Sequence, residues 1–584
     1  MAHHRHARTH GAPPPEMPPA DGRGPSAGRG RTNPKLALAA MMFGVAMIFI
    51  DQTIVAIAAP SISDEVGLTS SGVQWVVNAY LLALAAFFAL GGRLSDIFGH
   101  KRVMLIGTVV FVLASVMCGA VPDSGFAQAW LITFRAIQGF GAALLFPAAL
   151  AVVVAVFPVE RRGRALALFF GLTGALTALG PLLGGWLTEW TWRAIFWVNV
   201  PVAVVALVLT SLAHIPDRRR AERLDLTGAF LIAVGMGLGV LGFQQAASWG
   251  WRSVVTWGCI IGGAAVLVVF CRYELRVREP LIQLRVFRDR AFTADNLVLF
   301  FAMLAFVPLF FFASVYAQVS LGASTNQAAL YLLYFFAGFA IASQVGGRIL
   351  DKRGARPAIR LGGAVGAVGF ALWAARLTDL SMHNQWPFVA LAGAGIGFLL
   401  APASTDAVNR SIGASYGEVT GVIQTLRNYA AAIGLAVYGT LLTHATTHNV
   451  AGTLRERGLS SGEADRAASG VAEAVTGQTG SRGPGGEGPL AETLRNAAGA
   501  IRLDFAEANR WVFYGMAVAM ALAFVCSWFH PGTRVTEHPP QDEPPGPAAH
   551  GTGRGPNSGA VPDTPEGLPN LPADAVERTP VAHR

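Results

Sequence analysis

Residues Gly91–Arg102 read GGRLSDIFGHKR, and Gly346–Pro357 read GGRILDKRGARP. Each copy follows a long apolar run. Each has two glycines, an arginine, a branched apolar residue, then Asp96 or Asp351, a glycine three positions later and a basic residue two beyond that. Such a string predicts a tight, charged turn between two membrane helices. Glycine reaches turn conformations that other residues do not reach cheaply, and the basic residues favour the cytoplasmic side. The Asp either caps the next helix or attracts the N-terminus of a neighbouring one. One copy alone would be a charged loop between spans. Two copies in register are an internal repeat, which is a mark of transporter folds.

Composition agrees with a polytopic membrane protein. Hydrophobic residues make up 53% of the 584, charged residues only 14%, and the mean hydropathy is +0.46. The net charge of +9 comes from short loop clusters rather than from one basic face, so it is read as membrane topology and no nucleic-acid partner is expected. Cys118, Cys259, Cys271 and Cys526 fall in or beside apolar runs without metal-site spacing. No metal or other cofactor is expected. The HHRHARTH stretch near the start is read as part of a basic tail. No short apolar core with a cleavage site precedes the first span, which is therefore expected to be retained.

From Leu36 on, apolar runs of about the 20 residues needed to cross a bilayer recur near 36–62, 73–92, 103–121, 129–151, 165–188, 195–213, 228–246, 254–271, 293–318, 327–347, 359–376, 387–404, 418–442 and 511–530. The expectation is an all-α membrane protein of fourteen helices. Arg161, Arg162 and Arg164, then Arg218, Arg219, Arg220 and Arg223, then Arg272, Arg276, Arg278, Arg285, Arg288 and Arg290 all follow even-numbered runs. Both termini are therefore expected in the cytoplasm, with the chain in the cytoplasmic membrane. The signature copies follow helices two and ten, eight apart where a six-plus-six repeat needs six, so two helices are inserted. The expected units are a disordered tail (1–34), a six-helix bundle (35–213), two extra helices with linkers (214–290), a second six-helix bundle (291–530) and a disordered tail (531–584). The second bundle holds an extracellular loop (443–509), with a short amphipathic helix near 491–505.

Four further stretches narrow the family: DQTIVAIAAP at Asp51–Pro60, RAIQGFGAA at Arg135–Ala143, GLTGALTALGPLLGGWL at Gly171–Leu187 and WRAIFWVNVP at Trp192–Pro201. With the two signature copies, the chain resembles the fourteen-spanning drug:proton antiporter family of the major facilitator superfamily from about Asp51 to Phe529. The resemblance implies the major facilitator fold, two six-helix bundles plus two extra central helices. It also implies proton-coupled efflux of amphipathic drugs or antibiotics by alternating access, with the bilayer, a proton and a small amphipathic or cationic organic substrate as partners. It reads the helix-five stretch with Gly171, Gly174, Gly180, Pro181, Gly184 and Gly185 as the antiporter signature. These glycines let a neighbouring helix approach closely, and the proline bends the helix.

The resemblance further implies that helices one, four, nine and twelve line a cavity. Gln138, Phe310, Tyr316 and Gln318 fall on those helices, and flanking helices add Asn78, Gln344, Gln424 and Asn428; an aromatic wall with a few amides suits a bulky amphipathic compound better than a sugar. Gly92, Asp96, Gly99 and Arg102, with Gly347, Asp351, Gly354 and Arg356, are read as conformational latches at the cytoplasmic rim. Asp51 and Arg135 are charges inside spans, where they are costly and usually functional. Counted along their helices, Asp51 is roughly 22 Å from the cytoplasmic boundary of a core about 30 Å thick, and Arg135 is roughly 9 Å deep from the outer side. The two can meet as a proton-coupling pair or as a structural ion pair. Enzymes are disfavoured, because no paired carboxylates or nucleophile elbow sit at a membrane boundary. The alternative within transporters is a facilitator, importer or exporter of a small metabolite or lipid.

Overall fold

Backbone groups in a bilayer find no water, so apolar runs of this length fold as helices that satisfy every N–H and C=O internally. The computed structural model describes residues 33–122, 124–215, 224–410, 415–475 and 489–533, and among them it contains α-helices, short 3-10 turns and no strand. In chain order the α-helices are α1 Pro34–Val66, α2 Ser70–Phe98, α3 His100–Gly119, α4 Ala127–Val156, α5 Val159–Trp190, α6 Ala194–Trp197, α7 Asn199–Leu212, α8 Leu226–Trp249, α9 Val254–Glu274, α10 Arg290–Val319, α11 Thr325–Arg353, α12 Ala355–Arg376, α13 Met382–Asn409, α14 Tyr416–Glu456, α15 Ser461–Val475 and α16 Pro489–Cys526. The starts are written in the sequence. Asn33 caps α1 ahead of Pro34, Asp225 caps α8 and Asp289 caps α10, while Ser324 and Gln327 form a capping box on α11.

The signature strings are tighter than the turns expected of them. Asp96 lies inside the last turn of α2, and Gly99 alone, at φ +100°, separates α2 from α3. Gly354, at φ +83°, separates α11 from α12 in the same way. A single left-handed residue reverses the chain, which is why glycine stands there.

Among the described residues, twelve helices are long and apolar enough to cross a membrane. The expected runs 165–188 and 418–442 lie in α5 and α14, of 32 and 41 residues, which are not among those twelve. The expected span 195–213 is divided at Val198 into α6 and α7. Pro201 has no N–H to give the carbonyl of Trp197 four residues earlier, so the helix opens there.

Among the described residues of 443–509 there is more helix than the one short amphipathic stretch expected there. α14 runs on to Glu456, α15 follows, and the amphipathic stretch near 491–505 is the first half of α16, continuous with the last span. Val450, Ala451, Leu454, Ala464, Ala468, Leu494 and Ala497 close a small core of their own there. Both expected tails lie almost wholly outside the described residues, as do Arg218, Arg219, Arg220 and Arg223.

Within the described unit α1 packs on α4, α5 and α7, and α4 packs on α2 and α3. The second half repeats the pattern, with α13 on α10, α11 and α12, and α16 on α10, α12 and α14. The halves meet where α14 lies on α2 and α11 lies on α5; the α8–α9 pair leans on α2 and α14 through α8.

Candidate functional site

α1 carries Asp51 near its middle and buries it completely, with 0% of its surface exposed. α4 presents Arg135 and Gln138 three residues apart, hence on one face. Arg135 Nη1 donates to Asp51 Oδ2 at 2.5 Å and to Gln138 Oε1 at 2.7 Å, and Gln138 Nε2 donates to Asp51 Oδ1 at 2.8 Å. Arg135 Nε donates to the Val76 carbonyl of α2 at 3.0 Å, and its guanidinium lies 4.4 Å from the centre of the Tyr80 ring. Buried charges are tolerated only when such partners satisfy them. Glycines bring the helices to this distance. A Cβ at Gly139 of α4 would collide with the Tyr80 carbonyl, and one at Gly180 of α5 would collide with Thr53, a half-turn past Asp51. The structure thus brings Asp51 and Arg135 together and adds Gln138, which the sequence placed among the cavity residues.

The two signature strings reach across to the opposite half. Asp96 accepts the backbone N–H groups of Gly417 at 3.0 Å and Glu418 at 2.6 Å, the first turn of α14. This is the second of the two roles open to that Asp, attraction of a neighbouring helix N-terminus and its unsatisfied donors. Arg93 Nη1 lies 3.6 Å from Glu418 and His100 Nε2 lies 3.8 Å from Asp96. Gly92 faces the Gly417 carbonyl so closely that a Cβ would overlap it. In the second copy Asp351 faces the backbone N–H groups of Gly163 and Arg164 in the second turn of α5, with Arg164 Nε 3.6 Å away. A Cβ at Gly347 would lie 2.7 Å from the Gly163 carbonyl. Gly99 and Gly354 make the breaks, Arg102 is exposed, and Arg356 packs against Gly532. Arg162 joins the halves at the same end, donating to Asn409 Oδ1 at 2.9 Å.

The expected cavity residues do not form one set. Asn78 donates to Gln245 of α8 at 3.3 Å, Gln138 serves Asp51, and Tyr316 is fully buried in the second bundle. There the Tyr316 hydroxyl donates to the Leu377 carbonyl and accepts from Gln385, which accepts from Tyr331. Gln318 is exposed and turns back to Ser314 on its own helix. Phe310 stacks on Phe336 of α11 at 5.3 Å, Gln344 is half-buried, and Asn428 donates to the Gln424 carbonyl. Of the antiporter stretch, Gly184 and Gly185 continue α5 past Gly180. Gly171, Gly174 and Pro181 are in α5, and their side-chain surroundings lie outside the described residues.

Arg427, not singled out by the sequence, is buried, donates to Gln424 Oε1 at 2.5 Å and lies over the Phe170 ring. A charge inside the run 418–442 was the available signal, the same one that marks Arg135. The sequence reading also passed over Asp295, Asp406 and His530, which come together at the signature end of the second bundle. At the opposite end Glu65 accepts from Trp192 Nε1 at 2.7 Å and pairs with Arg193. Arg193 first, then Trp192, holds the Glu65 carboxyl below its ordinary range.

The sequence pattern of the Major Facilitator Superfamily matches residues 41–435. An uncharacterized MFS-type transporter of Mycobacterium tuberculosis is 36% identical over 425 residues, covering 70% of this chain and 71% of that one. The puromycin resistance protein of Streptomyces alboniger is 35% identical, covering 68% and 80%. The tetracenomycin C resistance and export protein of Streptomyces glaucescens is 31% identical, covering 71% and 76%. In fold alone, the chain is similar to the crystal structure of the human organic anion transporter TETRAN, with a TM-score of 0.52 at 14% identity over 85% of this chain and 100% of that one. Two signature strings that each clasp a helix of the other half, on a chain matched over this length, make it a member of the major facilitator superfamily.

Proposed function

We propose that this chain exports amphipathic drugs or antibiotics across the cytoplasmic membrane in exchange for protons, by alternating access. The observation that carries the reading is the buried Asp51 carboxylate, held by Arg135 and Gln138 between α1 and α4. A carboxylate at that depth has a large desolvation cost, which Arg135 and Gln138 offset, and an ionisable pair kept inside a span at such cost marks a proton or ion pathway. The resistance and export relatives support the substrate class, a small amphipathic or cationic organic compound. On this reading fourteen helices span the bilayer, the twelve apolar ones together with α5 and α14. Both termini face the cytoplasm, α8 and α9 are the inserted pair, and the Asp96 and Asp351 clasps latch the cytoplasmic face shut.

The experiment is accumulation of ethidium, puromycin and neutral lipophiles in a host stripped of efflux pumps, with and without a proton uncoupler. Uncoupler-sensitive exclusion of several unrelated compounds is expected. Uptake or efflux of one metabolite or lipid, indifferent to the uncoupler, would instead make the chain a facilitator.

A further inference from the structure

Asp295 of α10, Asp406 of α13 and His530, just beyond α16, meet at the signature end of the second bundle. A carboxylate oxygen of each Asp and a ring nitrogen of His530 lie within 4.8 Å of one another. All three are buried, Asp295 at 0%, Asp406 at 3% and His530 at 1% exposure. Neither oxygen of Asp295 has a hydrogen-bond donor from the protein.

The surrounding hydrogens are accounted for. Gly532 N–H donates to His530 Nδ1 at 3.0 Å, so that nitrogen bears no hydrogen and the neutral ring carries its hydrogen on Nε2. Nε2 is 3.1 Å from Asp406 Oδ2, to which it donates, and 3.7 Å from Asp295 Oδ1. Arg410 gives Nε to Asp406 Oδ2 at 2.7 Å, Nη1 to Asp289 and Nη2 to the Thr533 carbonyl. Arg356 lies against Gly532 on the outer side. Arg410 is thus committed to Asp406 and Asp289, and none of its hydrogen bonds reaches Asp295. Asp295 faces Asp406, and two ionised carboxylates are both acceptors only.

A proton or a metal ion would relieve the pair, and a metal fits poorly. With Nδ1 accepting a hydrogen bond, Nε2 holds the ring's hydrogen and has no lone pair for a metal, while Arg410 occupies Asp406 Oδ2.

We propose that this cluster is a second proton-binding site, in which Asp295 carries the proton on an O–H bond and shares it with Asp406. Like carboxyls at this separation hold one proton between them. The site is tied to the contact between the halves, because Arg162 of α5 holds Asn409, the residue before Arg410. When the two halves part at this end, Asn409 loses that partner, the end of α13 is uncovered, and water reaches Asp295 to take the proton. This last step rests on the exchange reading above; the presence of the proton does not.

The first test therefore needs no substrate. Infrared difference spectra of the purified full-length chain, between acid and alkaline buffer, report the C=O stretch of a protonated carboxyl. Wild type and Asp51→Asn are expected to show this band, and Asp295→Asn to lose it. An unchanged spectrum in Asp295→Asn would overturn the proposal, as would Zn²⁺ or Mn²⁺ alone binding at one ion per chain to wild type and not to Asp295→Asn. In liposomes, Asp295→Asn should lower puromycin efflux driven by a pH gradient about tenfold or more, and leave gradient-free puromycin exchange within about twofold. Equal loss of both would make Asp295 a structural residue and overturn its part in the cycle. If wild type moves no puromycin and no ethidium, the export reading fails, and the infrared band still decides the proton site.

Discussion

Replacing Asp96 by Asn removes the charge from a clasp whose geometry is explicit. The carboxylate takes two N–H groups at the start of α14, at 3.0 and 2.6 Å, across the junction between the halves. Bonds to a charged acceptor contribute about 1.5–3 kcal/mol each, and a negative charge at a helix N-terminus adds roughly 0.3–1 kcal/mol. Asn keeps one neutral acceptor and turns an NH₂ toward the other N–H, so the closed face should lose about 2–3 kcal/mol. At about 1.4 kcal/mol per factor of ten, the closed-to-open ratio at this end falls about 30- to 140-fold. Spin labels at Phe98 of α2 and Arg353 of α11, both exposed, in a background freed of the four cysteines, read this as a shift of the distance distribution toward longer values. Turnover should fall while substrate affinity stays nearly unchanged. Superimposable distributions, or binding weakened tenfold with turnover intact, would refute the latch.

Gly92→Ala should produce the same opening without any change of charge, because the new Cβ meets the Gly417 carbonyl; the same label pair reads it, and an unchanged distance would mean that the junction absorbs the methyl without parting. Asp51→Asn in liposomes should bind neutral substrates but lose uphill export, with Asp51→Glu retaining part of it; undiminished pumping by Asp51→Asn under an imposed pH difference would remove Asp51 from the coupling step. Gln385→Leu strips partners from the Tyr331 and Tyr316 hydroxyls and the Arg376 carbonyl. It should cost about 1–3 kcal/mol for each orphaned group, read as a lower unfolding temperature of the purified protein and set against a smaller drop for Tyr316→Phe. Glu65 has a lowered folded-state pKa, so its stabilisation is present above the ordinary glutamate value and is lost as pH falls through the lowered one. Unfolding scans between about pH 5 and pH 3 should lose that slope in Glu65→Gln, and since the carboxylate is half-exposed the effect should be small and weaken with salt.

What the sequence made legible were features that repeat or that violate their surroundings. The signature strings repeat, and their glycines and aspartates stand where the two halves touch, a role in packing that their spacing alone could suggest. Asp51 and Arg135 are charges in apolar runs, so their cost pointed to each other. Other features were hidden for physical reasons. Gln138 is an amide that hydropathy treats like any polar cavity residue, and only the turn of α4 shows that it serves Asp51. Asp295 and Asp406 sit near the ends of their runs, where charge is cheap and needs no partner, while His530 lies just past the last apolar residue. Their meeting depends on contacts between residues more than 100 apart in the chain. Beyond the amphipathic stretch near 491–505, the helix within 443–509 was hidden because it has no membrane-length apolar run, whereas Ala, Glu and Arg favour helix without one, and a few small side chains complete its core.

α2 links the two ends of the first bundle. Near its start the Val76 carbonyl takes Arg135 Nε, and Tyr80 lies under the same guanidinium; in its last turn Asp96 holds α14. Twenty residues separate Val76 from Asp96, about 30 Å along an unbroken helix. A proton on Asp51 removes the charge that Arg135 answers, and the guanidinium then keeps Gln138, the Val76 carbonyl and the Tyr80 ring as its near partners, with the Phe196 ring farther off at 6.0 Å. Two of those three near partners belong to α2, so any settling of Arg135 pulls on that helix before it pulls on α1. Because Gly92 and Gly417 are in van der Waals contact, with no side chain between them to absorb a tilt, a small rotation of α2 at the Arg135 end is felt directly at the α14 junction. If Asp51 is the coupling acid, α2 is the element that carries its state to the latch, and the double variant Asp51→Asn with Asp96→Asn should open that face no further than Asp96→Asn alone.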